Sequence, residues 1–301
     1  MQTERGLGSI LITTDFSAGA RVGLDRAARL PLRPDARIAL LHVLPEEDDL
    51  PTAERLVAGA RRRLEKTRSS AARMLEGEGK EDCDVLVSVA HGKPFVEIIR
   101  QARAGKADLI VVGRHGERTF REMLIGSTVE RVIRKGDVSV LVVNRASQEK
   151  YRRPLVAVDM SESSRLALEL ALRICDPADG TIDVVHVVSL PSPARNIEVA
   201  LVPDIIVRRL EEEQSARTKL SEFLHSVDAT GRWNIVLKSG DPREVILEEA
   251  RSRRSDLIVM GTKGRTGLAH VLVGSIAEGV LRAASTDVLV ARLPRADFHL
   301  P

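Results

Sequence analysis

The sequence predicts an α/β protein of two tandem domains, each an open, five-stranded, parallel, doubly wound sheet. Three observations predict it. The chain repeats itself, each repeat alternates short β-rich runs with helical stretches, and the central runs are apolar throughout. Ile10-Leu-Ile-Thr-Thr-Asp15-Phe-Ser17 matches Leu155-Val-Ala-Val-Asp159-Met-Ser161, and His42-Val43 matches His186-Val187, both at an offset of 144 residues. Further on, Gly92-Lys-Pro94 matches Gly240-Asp-Pro242 and Asp108-Leu-Ile-Val-Val-Gly113 matches Asp256-Leu-Ile-Val-Met-Gly261. Gly126-Ser127 likewise matches Gly274-Ser275, all now 148 residues apart, so the second copy carries four extra residues between His186 and Gly240. A length of 301 residues suits two such domains. They are expected at 1–146 and 153–294, joined by a short polar stretch around Ser147-Gln148-Glu149-Lys150. That join is too short for free motion, so the halves are expected to pack on each other.

The elements follow in order. In the first half, β-rich runs at 10–13, 36–43, 83–89, 109–112 and 138–143 read as strands. Helical patterns lie near 18–30, 53–76, 94–104 and 127–135, with Ser17 placed to cap the first. In the second half the strands fall at 155–158, 181–188, 234–238, 257–260 and 287–291, and Ser161 takes the capping place. Alternation of β and α elements implies parallel strands joined by right-handed crossovers, with helices on both faces. The runs Leu-Ile-Val-Val and Leu-Ile-Val-Met do not alternate with polar residues, which suits strands buried on both sides. Leu56, Leu64 and Leu75, at near-helical spacing, make Arg61-Arg-Arg-Leu-Glu-Lys66 the solvated face of a long helix. Cys83 and Cys175 sit beside apolar segments and read as small core residues.

Composition narrows the function. Lys+Arg 46 against Asp+Glu 43 leaves a net charge of +3, and aromatic residues are 2% of the chain. Interleaved charge and few stacking rings argue against a nucleic-acid partner. No apolar run approaches the roughly 18 residues that span a bilayer, and the first residues lack the basic-then-apolar order of a signal peptide. A cytoplasmic location with no membrane partner is expected.

Glycines collect where the fourth strand of each half should end. The first half reads Gly113-Arg-His-Gly116, nine residues, then Gly126-Ser127-Thr128; the second reads Gly261-Thr-Lys-Gly264, nine residues, then Gly274-Ser275-Ile276. Glycine lets the backbone approach a ligand and adopt positive φ. A helix start adds unpaired N–H donors and the positive end of the dipole. Ser127 and Ser275 either add a hydroxyl beside a phosphate or cap their own helix. In open α/β sheets the ligand sits outside the carboxyl strand ends where strand order reverses. The pattern is neither a P-loop, lacking Gly-Lys-Ser/Thr, nor the dinucleotide fingerprint, which would follow the first strand.

These residues resemble the universal stress proteins, whose nucleotide-binding members carry Gly-x2-Gly-x9-Gly-Ser/Thr at this place. The resemblance covers nearly the whole chain as two copies, and implies Rossmann-like domains of the adenine nucleotide α-hydrolase type. It implies an ATP ligand, with any Mg2+ arriving on the phosphates. Asp15 and Asp159 would lie near the nucleoside, and Val43 and Val187 would contact adenine through their backbones. It also implies pairing of last strands, here 138–143 with 287–291 as an internal pseudo-dimer, with a homodimer left open. The first copy departs from the family where Glu117 follows Gly116 and Phe120 replaces a small residue; Arg114, Arg118 and Arg121 are placed to offset that carboxylate. The second copy reads Lys263-Gly264-Arg265-Thr266-Gly267, so the second site is expected to bind more tightly.

Plainer roles stand beside these. Asp15 and Asp159 fit structural turn aspartates, and His42 and His186 fit satisfied core histidines. His115 and His270 have no carboxylate or cysteine at metal-ligand spacing, so no protein-built metal site is expected. Lys150-Tyr-Arg-Arg153 reads as linker, with anion binding the alternative. Ile197-Glu-Val-Ala-Leu-Val202 and Ile205-Ile-Val207 are expected to be buried, the alternative being an exposed patch for a partner or an acyl chain. No catalytic constellation can be assembled. The favoured function is a nucleotide-dependent stress-response or signalling module with protein partners unnamed by the sequence. Slow ATP hydrolysis or adenylyl transfer, and a scaffold with vestigial cradles, stay open.

Overall fold

The structure, a computed structural model, describes residues 6–46, 50–114, 126–176, 181–188, 203–230, 232–262 and 274–294. The first half runs β1 (Leu7–Thr13), α1 (Ala18–Ala28), β2 (Leu32–Leu44), α2 (Leu50–Gly77), β3 (Asp84–His91), α3 (Pro94–Ala104), β4 (Leu109–Gly113), α4 (Ser127–Lys135) and β5 (Ser139–Val143). The second runs β6 (Pro154–Ala157), α5 (Glu162–Ile174), β7 (Ile182–Val188), α6 (Pro203–Val227), β8 (Trp233–Ser239), α7 (Pro242–Ser252), β9 (Leu257–Gly261), α8 (Ser275–Ala283) and β10 (Asp287–Ala291).

Repeated turn chemistry explains why the two halves fold alike. The Ser17 hydroxyl accepts the Ala20 N–H at 3.1 Å and starts α1; Ser161 does the same for Ser164 at 3.2 Å and starts α5. Gly92 and Gly240 carry φ of +125° and +140°, a region closed to most side chains, and a proline then opens α3 and α7. The aspartate ahead of each Leu-Ile-Val run clamps a neighbouring strand. Asp108 accepts the N–H groups of Gly8 and Ser9 at the start of β1, and Asp256 accepts those of Arg152 and Arg153 just before β6.

The strands form one ten-stranded sheet in the order β3-β2-β1-β4-β5-β10-β9-β6-β7-β8. Every neighbouring pair is parallel except β5 and β10, which run antiparallel with Leu141 opposite Leu289. Those two leucines are equivalent in the repeat, so an approximate twofold axis passes between them, as in an isologous dimer. The expected internal pairing of last strands is therefore present. Strand order reverses between β1 and β4, and again between β6 and β9.

Two apolar cores cover the faces of this sheet. One packs α1, α2, α5 and α6 on one face, through residues such as Leu24, Leu64, Leu168 and Leu220. The other packs α3, α4, α7 and α8 on the opposite face, through Ile98, Val132, Ile246 and Val280. Alternate residues of a single strand serve opposite cores: Leu141 and Val143 face one, Val140 and Val142 the other. Cys83 and Cys175 are free thiols packed in the first core. Leu64 and Leu75 are buried as expected, but Leu56, in the opening turns of α2, is exposed. Val207 is likewise 54% exposed rather than buried, and Ile197–Val202 lie outside the described residues. No helix among the described residues is long and apolar enough to cross a membrane.

The halves also meet through a buried polar cluster. Asp287 accepts the N–H groups of Asn144 and Arg145 at 2.8 and 3.2 Å, and the Tyr151 hydroxyl at 2.6 Å. Arg26 lies 3.1 Å from the same carboxylate, and its guanidinium covers the Tyr151 ring at 4.3 Å. Tyr151 is thus a buried interface residue and not plain linker, and burial pushes its hydroxyl well above the usual tyrosine value. Burial also lifts the Asp287 carboxyl, against the donors that favour its ionised form.

Candidate functional site

The register brings the predicted residues of the first half to one edge. Thr13 pairs with Leu41, and the Thr14 N–H reaches the Leu41 carbonyl at 2.9 Å, which sets the Asp15 turn alongside His42-Val43. On the other side, β1 pairs with β4 through Ile12 and Val111, so Gly113 ends β4 beside the same turn. The second half repeats this: Ala157 pairs with both Val185 and Met260, placing Asp159 between His186-Val187 and Gly261. Each site therefore lies at a strand-order reversal.

The aspartate turns are tight. Asp15 Oδ1 accepts the Ser17 N–H at 3.0 Å, and Asp159 Oδ1 accepts the Ser161 N–H at 3.1 Å. The intervening Phe16 and Met160 hold φ of 65° and 63°, uncommon for non-glycine residues. The structural reading of both aspartates is seen directly, with Asp15 exposed and Asp159 half-buried. The second turn is the better braced. Ser164 donates its hydroxyl to Asp159 Oδ1 at 2.5 Å and accepts the Asp159 N–H at 3.0 Å, whereas Ala20 stands at the matching place in the first half. His42 and His186 are satisfied as expected: each Nδ1 lies 2.7 Å from a carbonyl, of Thr14 and of Val158. A carbonyl only accepts, so Nδ1 carries the proton in both. Val43 and Val187 are half-buried near the carboxyl ends of β2 and β7, paired with Ala90 and Lys238.

The glycines at the ends of β4 and β9 have a packing role that the sequence does not announce. Neither Gly113 nor Gly261 has positive φ. A Cβ on Gly113 would lie 2.1 Å from the Gly19 carbonyl oxygen, and one on Gly261 would lie 2.5 Å from Ser163 Cβ. These glycines admit the first turns of α1 and α5 against the strand ends, and so hold each aspartate turn to the start of its cradle. Gly126 differs. Its φ of −54° suits any residue, and the nearest described atom to an added Cβ is the Arg114 carbonyl oxygen at 3.8 Å. Gly274 is tighter, with Thr262 O at 3.1 Å from an added Cβ, and its N–H is spent on that same carbonyl at 2.7 Å.

Among the described residues, no side chain caps the start of either cradle helix. Ser127 and Ser275 are exposed at their first positions and do not cap, Thr128 is half-buried, and Ile276 is 40% exposed. The first intrahelical N–H bonds run from Glu130 to Gly126 and from Glu278 to Gly274, so the amides of 127–129 and 275–277 have no intrahelical acceptor. These amides, with the positive end of the dipole, can hold an anion. Arg114 has a target among the described residues that lies in the other half. Its buried guanidinium points across the molecule to the carbonyls of Arg282 and Ala284, at 2.5 and 2.6 Å. Sequence reading missed that target, which only the β5–β10 pairing reveals. Gly116, Gly264, His115, Glu117, Arg118, Phe120, Arg121, Lys263, Arg265, Thr266, Gly267 and His270 lie outside the described residues. No cluster of three metal-ligating side chains occurs among the described residues.

The universal stress protein family model matches residues 7–144 and again 150–292. A universal stress protein of Mycolicibacterium smegmatis is 28% identical over 307 residues, covering 96% of this chain and 98% of that protein. Universal stress protein MJ0531 of Methanocaldococcus jannaschii is 30% identical over 158 residues, 51% of this chain and 89% of its own. The crystal structure of a universal stress protein from Archaeoglobus fulgidus superposes with a TM-score of 0.67 at 21% identity, over 97% of this chain and 99% of that one. With the repeat, the sheet order and both family matches in agreement, the chain belongs to the universal stress protein family.

Proposed function

We propose that this chain binds an adenine nucleotide, ATP foremost, at the carboxyl edge of each half and acts as a nucleotide-dependent binding module. The binding units are residues 1–146 and 153–294. One observation carries the reading: two equivalent helices present first-turn amides without an intrahelical acceptor behind Gly126 and Gly274, beside an aspartate turn, at a strand-order reversal. Phosphates would take the amides of 127–129 and 275–277, with Ser127, Thr128 and Ser275 alongside and Gly113, Gly116, Gly261 and Gly264 shaping the approach. Ile276 would offer only its backbone. The nucleoside would face Asp15 and Val43 in one site, Asp159 and Val187 in the other. Any Mg2+ would be held by the phosphates, since hard cations favour oxygen ligands.

The second site is the tighter one on this reading, because Ser164 fixes Asp159 from two directions while Ala20 offers Asp15 nothing. The test is mass spectrometry of small molecules released from freshly purified protein, with calorimetry using ATP, AMP and cyclic AMP. Bound adenine nucleotide, lost in stages in Gly274→Val and Gly126→Val, is the expected result. Protein that carries no nucleotide and takes up none overturns the reading.

A further inference from the structure

The two cradle helices end against arginines from the opposite half. Arg114 bonds the carbonyls of Arg282 and Ala284 at the end of α8. Arg292 donates from Nε to the Gly136 carbonyl at 2.9 Å, and from Nη2 to that carbonyl and, at 3.3 Å, to Arg134 O at the end of α4. Arg134 and Gly136 are the repeat equivalents of Arg282 and Ala284, 148 residues apart. The arginines are not equivalent: Thr262 matches Arg114, and Asn144 matches Arg292. Matching carbonyls are capped by unmatched residues.

Strand geometry explains this. Because β5 and β10 run antiparallel, the end of each lies beside the start of the other, where the opposite cradle helix finishes. Arg292 reaches across from there directly. Asn144 is shorter and spends its amide on Thr286 O at 2.5 Å, with a long 3.4 Å contact to Ala284 O. The guanidinium for α8 comes instead from the next strand, where the Arg114 N–H is pinned to the Val143 carbonyl at 3.1 Å.

We propose that Arg114 and Arg292 are positioning residues for the cradle of the opposite half, so that neither half holds a complete anion site alone. The inference rests on the nucleotide reading above. A guanidinium at the last carbonyls answers the negative end of the dipole, while the open N-terminus meets the anion. Each cradle helix has nine residues. At about 13 Å long, such a helix moves its first-turn amides by about 2 Å for a tilt of about 10°, well outside the roughly 0.5 Å tolerance of a preorganised site. Arg114 sits in the first glycine-rich motif, yet its substitution is expected to damage the second site.

The test uses the full chain with one cradle blocked by Gly126→Val or the other by Gly274→Val. In each background, ATP binding is measured for Arg114→Lys and Arg114→Met. Met, which keeps the packing and loses the charge, is expected to weaken the second cradle roughly three- to tenfold and the first by less than about twofold, with Lys recovering most of the loss. Loss confined to the first cradle, or Lys and Met behaving alike, overturns the proposal. Hydrogen exchange of ligand-free protein reads the brace without nucleotide. Amides 278–283 should exchange faster in Arg114→Met with α4 unchanged, and α4 should respond instead in Arg292→Met. Unchanged exchange in both defeats the brace. If the unsubstituted protein binds no ATP while exchange responds, the nucleotide reading fails and the brace stands.

Discussion

At Gly113 a methyl group would have to sit 2.1 Å from the Gly19 carbonyl oxygen and 2.4 Å from its carbon, both backbone atoms that cannot swing aside. Gly113→Ala should therefore push α1 off the end of β4 and cost about 1–3 kcal/mol, the usual range for overpacking. Urea unfolding would show a lowered midpoint with the slope kept. At Gly126 the nearest described atom to an added Cβ is 3.8 Å away, so Gly126→Ala should leave stability within about 0.5 kcal/mol and lower only anion binding. Ser164 is a third case. Its hydroxyl serves both the N–H and the carboxylate of Asp159, so Ser164→Ala leaves a donor and an acceptor short and should cost about 0.5–2 kcal/mol. The sequence marks all three residues or their neighbours. It does not tell Gly113, held by contact with a helix, from Gly126, which nothing in the described fold requires, because the difference lies in what α1 does 94 residues earlier. Arg114 is hidden for the same reason: its partners lie 168 and 170 residues away.

Among the elements, strand positions were legible because a run buried on both faces admits little but Val, Ile and Leu, and the runs at 109–112 and 257–260 became β4 and β9 almost unchanged. Helix ends were less so. α2 begins at Leu50 rather than 53, and β2 at Leu32 rather than 36, where its pairing with β1 shifts register. Exposed Leu56 and Val207 lie in the opening turns of the two longest helices among the described residues. The α7 edge shows how charge holds an element down. Glu249 meets Lys238 of β8 at 2.9 Å and Arg253 at 3.0 Å. Burial would raise its pKa, but those two partners outweigh it and hold it below the usual glutamate value. A lowered value in the fold means a contribution present above the unfolded pKa and lost as pH falls through the folded one. Glu249→Gln should thus cost about 1–2 kcal/mol near pH 7, with the gap from the unsubstituted protein closing in strongly acidic buffer. A constant gap at all pH values would show that the ion pairs contribute nothing.

Over the whole molecule, two copies that could each pair with a partner are joined in one sheet, and the join is not symmetric. Asp287 of β10 is matched by Ser139 of β5, and Arg26 of α1 by Leu170 of α5, so the Arg26–Asp287–Tyr151 cluster exists at only one of the two places the twofold would put it. At the other, Ser139 Oγ accepts the Arg292 N–H at 3.1 Å. The β5–β10 pairing could be anticipated from the duplicated last strands; the cluster could not, since it combines residues 136 and 261 positions apart. Its energetics give a signed prediction. Arg26 and Asp287 are 4% and 1% exposed, and removing one partner of such a pair leaves a charge stranded away from water. Arg26→Met keeps the volume and strands the carboxylate, which relieves the cost by taking up a proton. The Asp287 pKa is already raised by burial and must rise further without the guanidinium. A folded pKa above the unfolded one means stability that is complete below the unfolded value and lost as pH climbs through the folded one. Arg26→Met should therefore lose about 3–5 kcal/mol at pH 8 and regain part of it by pH 5, the opposite slope to Glu249→Gln. Arg26→Met with Asp287→Leu removes both charges and should be more stable than the single variant, with no acid recovery. Urea midpoints for the two variants at pH 5 and pH 8 decide it: a single variant equally weak at both pH values would mean that Asp287 takes up no proton between them.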